Sequence, residues 1–446
     1  MPEPTVVRAD RMPAGTPEVP VAIVGAGACG LTAALALRRA GVDCVLLERD
    51  PAPRGSTALS SGFIPAAGTA VQRAAGIADS AARFAADIQA KAHRLAAPQL
   101  VPAYTAAIGP ALDALQGHGL DWELLDGFLY PGHTARRMHT LAARTGSALV
   151  DALAAAADRA GAVTLTRAQV LQLWCDSSGR VIGAGFQRPD GRCEQLACRV
   201  LLLACNGFGG HPGLVAEFLP AMRDAIYAGH PGNDGSAVAW ARALGLGLAD
   251  LGAYQGHGGW AVPHGVLITW ALVMQGGVQV NARGERFHDE TQGYSEAAEH
   301  VLAQPGGEAW TLVDERLLVL GREFPDFVAA EAAGAVRRAA DTAALAALIG
   351  CATEPLARTL AATPLRPPYG AIRVSGALFH TQGGIDVDAR CRARYADGRP
   401  HPNLLAAGGA ARGVSGTSAA GYLSGNGLLS AVAGGHIAAR TAQEML

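Results

Sequence analysis

The sequence predicts an α/β fold in which one parallel-sheet domain is interrupted by an inserted α+β unit. Three observations predict it. Val21 to Glu48 reads as strand, tight glycine turn, helix, strand. Asn403 to Gly409 and the helical stretch after it read as the closing strand and helix of the same domain. Between them, from Leu251 to about Leu365, the composition shifts to Trp, His, Gly and Gln, then a strand at Gly277–Asn281, then helices.

The first stretch is the most informative. Val21-Ala22-Ile23-Val24 is the apolar run of a strand buried on both faces. Gly25-x-Gly27-x-x-Gly30 follows, then an alanine- and leucine-rich helix to about Ala40. Gly25 permits the turn, Gly27 admits a pyrophosphate against the backbone, and Gly30 lets helix and strand pack closely. Ala28 and Cys29 open the helix, whose free N–H groups and positive dipole end face the phosphates. Cys44-Val45-Leu46-Leu47 ends at Glu48, where a carboxylate accepts hydrogen bonds from an adenosine ribose, with Arg49 next to it. A bound dinucleotide on a Rossmann-like domain is the expectation.

Composition narrows the class. The 446 residues suffice for two or three domains. There are 36 basic and 38 acidic residues, so nothing calls for nucleic acid or an anionic membrane as partner. Lys91 is the single lysine. The eight cysteines form no CxxC, so no metal or haem site is expected, and they suit a reducing compartment. Residues 1–20 carry acids and prolines without an apolar core and read as a disordered start, not a signal peptide. No apolar run reaches membrane-spanning length. A cytoplasmic location is expected; the oligomeric state stays open.

Along the chain, Arg49 to Thr69 is a long loop of small and hydroxyl residues that suits a flat ligand. Ala70 to His118 has helical spacing, which Pro98 and Pro102 divide into two helices. Asp121 to His139 reads as a loop or short hairpin carrying Trp122, Tyr130, His133, Arg136, Arg137 and His139. Thr145 to Ala160 reads as a helix, and Val163–Trp174 and Val181–Gln187 as strands. Arg199 to Ala204 is a buried strand running into Cys205-Asn206-Gly207. Asp234 is placed to cap a helix reaching Leu244.

At this point the chain resembles the fumarate reductase and succinate dehydrogenase flavoprotein superfamily. The residues that carry the resemblance are Gly25 to Gly30 with Glu48, Ser56-Thr57-Ala58-Leu59-Ser60-Ser61-Gly62, Ala66 to Thr69, Asn233-Asp234-Gly235, Gln255-Gly256-His257, Gly284-Glu285-Arg286-Phe287, His380-Thr381-Gln382-Gly383-Gly384 and Ala406 to Gly409. It implies FAD on a domain of glutathione-reductase type, with a capping domain closing over substrate. Ser56, Thr57, Ser60, Ser61, Gly62, Ala67, Gly68 and Thr69 would line pyrophosphate and flavin, Val170 would meet the adenine, and Ala204, Gly207 and Gly408 would complete the cleft. The last helix, near Gly427-Leu428, would point its N-terminus at the flavin. Ser56 stands where membrane-bound relatives carry a flavin-linked histidine, so the FAD would be non-covalent.

The departures redirect the chemistry. Dicarboxylate-reducing members use an arginine–glutamate–arginine proton relay and a further arginine on the substrate carboxylate. Those positions are here Tyr294, Trp270, Val273 and Tyr422, while the family's two histidines match His257 and His380. A dicarboxylate is matched by guanidinium forks, which are missing. Two tyrosines and the segment Gly421-Tyr422-Leu423-Ser424-Gly425-Asn426-Gly427 instead resemble the 3-ketosteroid dehydrogenase branch, especially its Δ4 type. The resemblance implies that Tyr422 and Tyr294 carry the chemistry, with Ser424 donating to a Tyr422 of lowered pKa and His257, His380 or Tyr294 polarising a carbonyl. Trp260 and Trp270 would wall an apolar pocket.

The expected organisation is therefore residues 21–250 and 367–446 as the FAD domain and 251–366 as the cap. The expected function is hydride transfer between flavin N5 and a carbon next to a carbonyl-activated C–H or C=C of a neutral substrate. The alternatives are a reductase of an unsaturated acid using Arg136, Arg137 or Arg412, a flavoprotein subunit passing electrons to a partner, and an oxidase using O₂. The electron donor or acceptor is not specified by these residues.

Overall fold

The structure, a computed structural model, describes residues 3–126 and 129–446. Strand Glu18–Val24 lies inside a nine-stranded sheet, its Val21 to Val24 buried as their apolar run requires. Cys44–Leu47 pairs parallel to it on one side and Cys193–Leu203 on the other. Val163–Leu165 and Pro400–Ala406 extend the parallel pairing outwards. Cys193–Leu203 is long enough for two sets of partners. Residues 193–197 pair antiparallel with Val181–Gln187, and residues 201–203 pair parallel with 404–406.

Two helices cover the glycine-turn end of this sheet. Ala28–Arg39 leaves the turn directly, and Asn426–Met445 packs across it. Gly435 lets them meet, because a Cβ there would run into the Cys29 carbonyl. The closing strand and the first strand thus belong to one sheet although nearly the whole chain separates them.

A second sheet of seven strands is built around Tyr369–Thr381, flanked by Tyr254–Ala261 and Glu308–Asp314. Its apolar side has its own core, including Leu312, Val313, Phe327, Ile372 and Val374. Helix Tyr294–Leu302 packs on Tyr254–Ala261, where Gly256 and Gly258 leave room for its Ser295, Ala297 and Ala298.

Several expectations are corrected here. Within the expected disordered start of residues 1–20, Thr5–Arg8 is a strand that pairs parallel with Gln169–Cys175, register Thr5 to Gln172, and residues 1 and 2 lie outside the described residues. An outer strand leaves unpaired N–H and C=O groups, and this segment satisfies them. Residues 251–366 do not contain the whole second sheet, because its central strand Tyr369–Thr381 and the short strand Ile226–Tyr227 lie outside that range. Ala70 to His118 holds three helices, Ala70–Ala74, Ala81–Lys91 and Leu100–Gln116. Gly76 at φ +68° follows the first. Pro102 sits in the first turn of the third, where its missing N–H costs nothing. Part of the loop expected over 121–139, residues 127 and 128, lies outside the described residues.

Candidate functional site

Two adjoining clefts open along the C-terminal edge of the first sheet. The smaller, about 830 Å³, is lined by Gly25, Gly27, Ala28, Cys29, Glu48, Arg49, Val170, Ala204 and Asp234. The larger, about 1470 Å³ with its mouth, is lined by Ser60, Ser61, His257, Trp270, Tyr294, His380, Tyr422, Ser424, Gly427 and Leu428. Ser56, Thr57, Asn206, Gly408, Gly409 and Ala431 line both. One long ligand can therefore run from one cleft into the other.

The smaller cleft is built for an anion and a ribose. Gly25 has φ +105°, and a Cβ there would lie 2.6 Å from the Ala204 carbonyl oxygen. The Ala28 N–H donates to the Thr57 hydroxyl at 2.9 Å, so the next amides of the turn are left to face the cleft. Glu48 accepts from the Ala26 N–H at 2.8 Å and the Asp50 N–H at 3.0 Å. Its carboxylate braces the glycine turn and keeps lone pairs for ribose hydroxyls. Burial raises its pKa, against the pull of those two N–H donors. Ser56 accepts from Asn206 Nδ2 at 2.8 Å and Asn233 Nδ2 at 2.9 Å, so its own O–H is free to donate into the shared part of the clefts. A pyrophosphate with sugars on either side fits this donor and acceptor set.

In the larger cleft the four positions that departed from the dicarboxylate pattern come together. Trp270, Val273, Tyr294 and Tyr422 form one buried cluster with Ala297. Tyr294 and Tyr422 meet edge to face at 6.1 Å between ring centroids. His257 stacks on Tyr294 at 4.8 Å, and His380 meets Tyr422 edge-on at 5.8 Å. Burial holds both imidazoles neutral, lowering His257 to about 3 and His380 to about 4. Gly259 donates its N–H to His257 Nδ1 at 2.9 Å, which leaves Nε2 as that ring's N–H. Helix Asn426–Met445 starts beside the tyrosines, and the Gly425 and Gly427 N–H groups act on the Tyr422 oxygen together with the Tyr294 hydroxyl. Burial nevertheless outweighs these donors and raises Tyr422 above an ordinary phenol.

Some expectations for single residues change. Tyr422 is not lowered, for the reason just given. Ser424 acts on the Tyr294 hydroxyl, not on that of Tyr422. Trp260 stands behind the wall, edge-on to Phe379 at 5.7 Å, while Phe379 itself lines the cleft. Gly30 serves packing against Gly25 and Ile23. Gly62, Ala67, Gly68, Thr69 and Gly207 do not line either cleft. Thr69 caps the helix Ala70–Ala74 and bonds His139, and Gly207 packs on Thr381. None of the three substitute arginines enters: Arg136 pairs with Asp126, Arg137 with Asp79 and Asp87, and Arg412 with Asp250 and Asp386. The charged residues that do line the larger cleft are Arg144 and Asp326. Sequence reasoning missed Phe379 and Asn206, while Tyr130 of the 121–139 loop does line the larger cleft. Phe379 adjoins His380 on a strand, and Asn206 at φ +68° stands before a glycine just past a strand end, which is a legible turn signal.

Comparison with known proteins follows the same geometry. The family described as FAD binding domain matches residues 20–428. A probable fumarate reductase of Shewanella frigidimarina (strain NCIMB 400) is 26% identical over 445 residues, 94% of this chain and 74% of that protein. The open conformation of a flavocytochrome c3 fumarate reductase superposes with TM-score 0.82 at 25% identity, over 97% of this chain and 79% of that one. The 3-ketosteroid-Δ4-(5α)-dehydrogenase of Rhodococcus jostii RHA1 shares the fold with TM-score 0.79 at 24% identity, over 98% and 99%. The chain belongs to the FAD binding domain family and is an FAD-dependent oxidoreductase of the fumarate reductase and succinate dehydrogenase flavoprotein superfamily.

Proposed function

We propose that this oxidoreductase acts on a neutral, largely apolar carbonyl compound, at the C–C or C=C bond next to the carbonyl. The observation that carries the reading is the buried cluster of Trp270, Val273, Tyr294 and Tyr422 at positions where dicarboxylate reductases hold charge. Bound FAD supplies the hydride acceptor or donor. Tyr422 moves the proton. Its raised pKa keeps the phenol protonated, so as it stands it donates to carbon, which suits the reductive half. Tyr294, carrying the Ser424 interaction, holds the Tyr422 oxygen in place. His257, neutral and stacked on Tyr294, presents its Nε2–H as a donor for a carbonyl oxygen.

The FAD is bound without a covalent link in this reading, because Ser56 holds the place of the linking histidine and its oxygen is engaged by two asparagines. Acid precipitation should leave all yellow colour in the supernatant. Anaerobic absorbance of the holoprotein tests the substrate class. Dithionite-reduced enzyme should be reoxidised by a cyclic enone and not by fumarate. A second reading, reduction of an unsaturated acid, is favoured by the named activity of its relative and by Arg144 at the cleft. Reoxidation by fumarate, abolished in Arg144→Gln, would establish it instead.

A further inference from the structure

The excursion from Ala70 to Thr140 sends Tyr130 and Met138 to the larger cleft, and elsewhere it contains a dense buried ion network. The Arg137 side chain and that of Asp79 have no solvent exposure, and Asp87 is nearly as buried. Arg137 Nε and Nη2 grip the two Asp79 oxygens at 2.9 and 3.0 Å, and Nη1 donates to Asp87 Oδ2 at 2.5 Å. Asp87 also accepts from the Thr134 N–H at 2.9 Å, and Asp79 from Gln72 Nε2 at 3.1 Å. The guanidinium lies over the Phe84 ring at 4.5 Å.

This network ends on the tyrosine loop. Arg137 Nη1 also faces His133 Nδ1 at 3.4 Å, and His133 Nε2 lies 3.0 Å from the Ser424 carbonyl oxygen. A guanidinium only donates, so Nδ1 is the acceptor and the ring proton sits on Nε2, aimed at Ser424. His133 lies beside Gly132, where a Cβ would come within 2.8 Å of Leu423, and a Cβ on Gly425 would come within 2.5 Å of Pro65 and 3.5 Å of Met138 of the same layer. The loop Tyr422 to Gly425 is therefore seated on this layer from two sides.

We propose that His133 is a positioning residue for the Tyr422–Ser424 loop, with Arg137, clamped by Asp79 and Asp87, fixing its tautomer. The inference deepens the tyrosine reading of the site and rests on it for its kinetic arm alone. Without the Nε2–H the Ser424 carbonyl loses its donor, and Tyr422 and Ser424 lose their register with Tyr294. A buried ion pair alone is weak evidence for stability; here it also selects which imidazole nitrogen carries the proton.

The test compares His133→Phe with His133→Gln in the FAD-loaded full chain, since Gln retains an Nε2 donor at similar reach. Hydrogen exchange of the peptide spanning residues 418–428 is read without any substrate. His133→Phe should speed exchange there about tenfold, the scale of one lost hydrogen bond, and leave the Ala28–Arg39 helix unchanged. His133→Gln should restore protection. With a cyclic enone as probe, His133→Phe should lower kcat about tenfold at unchanged KM, with His133→Gln near wild type. Unchanged exchange at 418–428 in His133→Phe, or loosening spread over the whole chain and not rescued by Gln, overturns the proposal. If no enone is turned over by wild type, the tyrosine reading fails while the exchange arm still decides the role of His133.

Discussion

Tyr422 shows how a single residue's surroundings set its protonation state. The same side chain in water would be an ordinary phenol. Here burial raises it, two backbone N–H groups and the Tyr294 hydroxyl pull the other way, and the balance leaves it protonated. Tyr422→Phe keeps the ring packing and removes the proton. Turnover of a cyclic enone should fall by roughly 10²-fold or more, while flavin absorbance stays at one FAD per chain. Gly25 is the counterpart in the cofactor cleft. At φ +105°, and with a Cβ there falling 2.6 Å from the Ala204 oxygen, it tolerates no side chain. Gly25→Ala should yield protein that binds no FAD, read as a colourless product after gel filtration. Neither residue's identity was hard to find in the sequence. The state of Tyr422 was, because burial at 5% exposure depends on elements far apart in the chain.

At the scale of elements, the tyrosine cluster depends on how helix Tyr294–Leu302 docks. Its first residue is Tyr294, and two residues later Glu296 pairs with Lys91 at the end of helix Ala81–Lys91. Lys91 also donates to the Gln292 carbonyl at 2.7 Å, just before the helix begins. The chain's single lysine thus ties the two helices together where the tyrosine enters. Both side chains are nearly buried, at 11% and 12% exposure, so removing one partner leaves a costly charge. Lys91→Met should destabilise the fold by roughly 3–5 kcal/mol, seen as a lower urea midpoint, and Lys91→Met with Glu296→Leu should recover part of it. The glycine-turn unit was legible because its glycines, helix and acid lie within one short stretch. The Lys91–Glu296 tie was not, because no pattern links residues 205 positions apart.

For the whole molecule, four buried histidines (His133, His139, His257 and His401) and the half-buried His288 and His380 make stability depend on pH. His133, His139, His288, His380 and His401 are lowered to about 4 and His257 to about 3, all first by burial. Unfolded, each would titrate near 6.5. Between about pH 6.5 and 4 the unfolded chain binds protons that the folded chain refuses, so each histidine makes stability fall as pH falls. Buried carboxylates with raised values, such as Glu48 and Asp250, act in the opposite sense. The difference between variants isolates the histidine part. The urea midpoint of His139→Gln should change less between pH 7 and 5 than that of wild type; an equal change would remove His139 from this account. Among the described residues no helix is long and apolar enough to cross a membrane.

The sequence by itself determined the nucleotide-binding unit, its closing strand and helix at the far end of the chain, and the presence of Trp270, Val273, Tyr294 and Tyr422 where the resemblance implies charge. Those follow from local spacing, side-chain chemistry and resemblance, all of which are written along the chain. The tertiary structure decided the rest. It brought the four replaced positions into one cluster, took Arg136, Arg137 and Arg412 out of the site by pairing them with carboxylates, and recruited residues 5–8 to a sheet edge. Burial and pairing are properties of neighbours in space. A carboxylate or an imidazole acquires its partner, its proton and its solvent shield only when distant segments pack together, and no local pattern records that encounter.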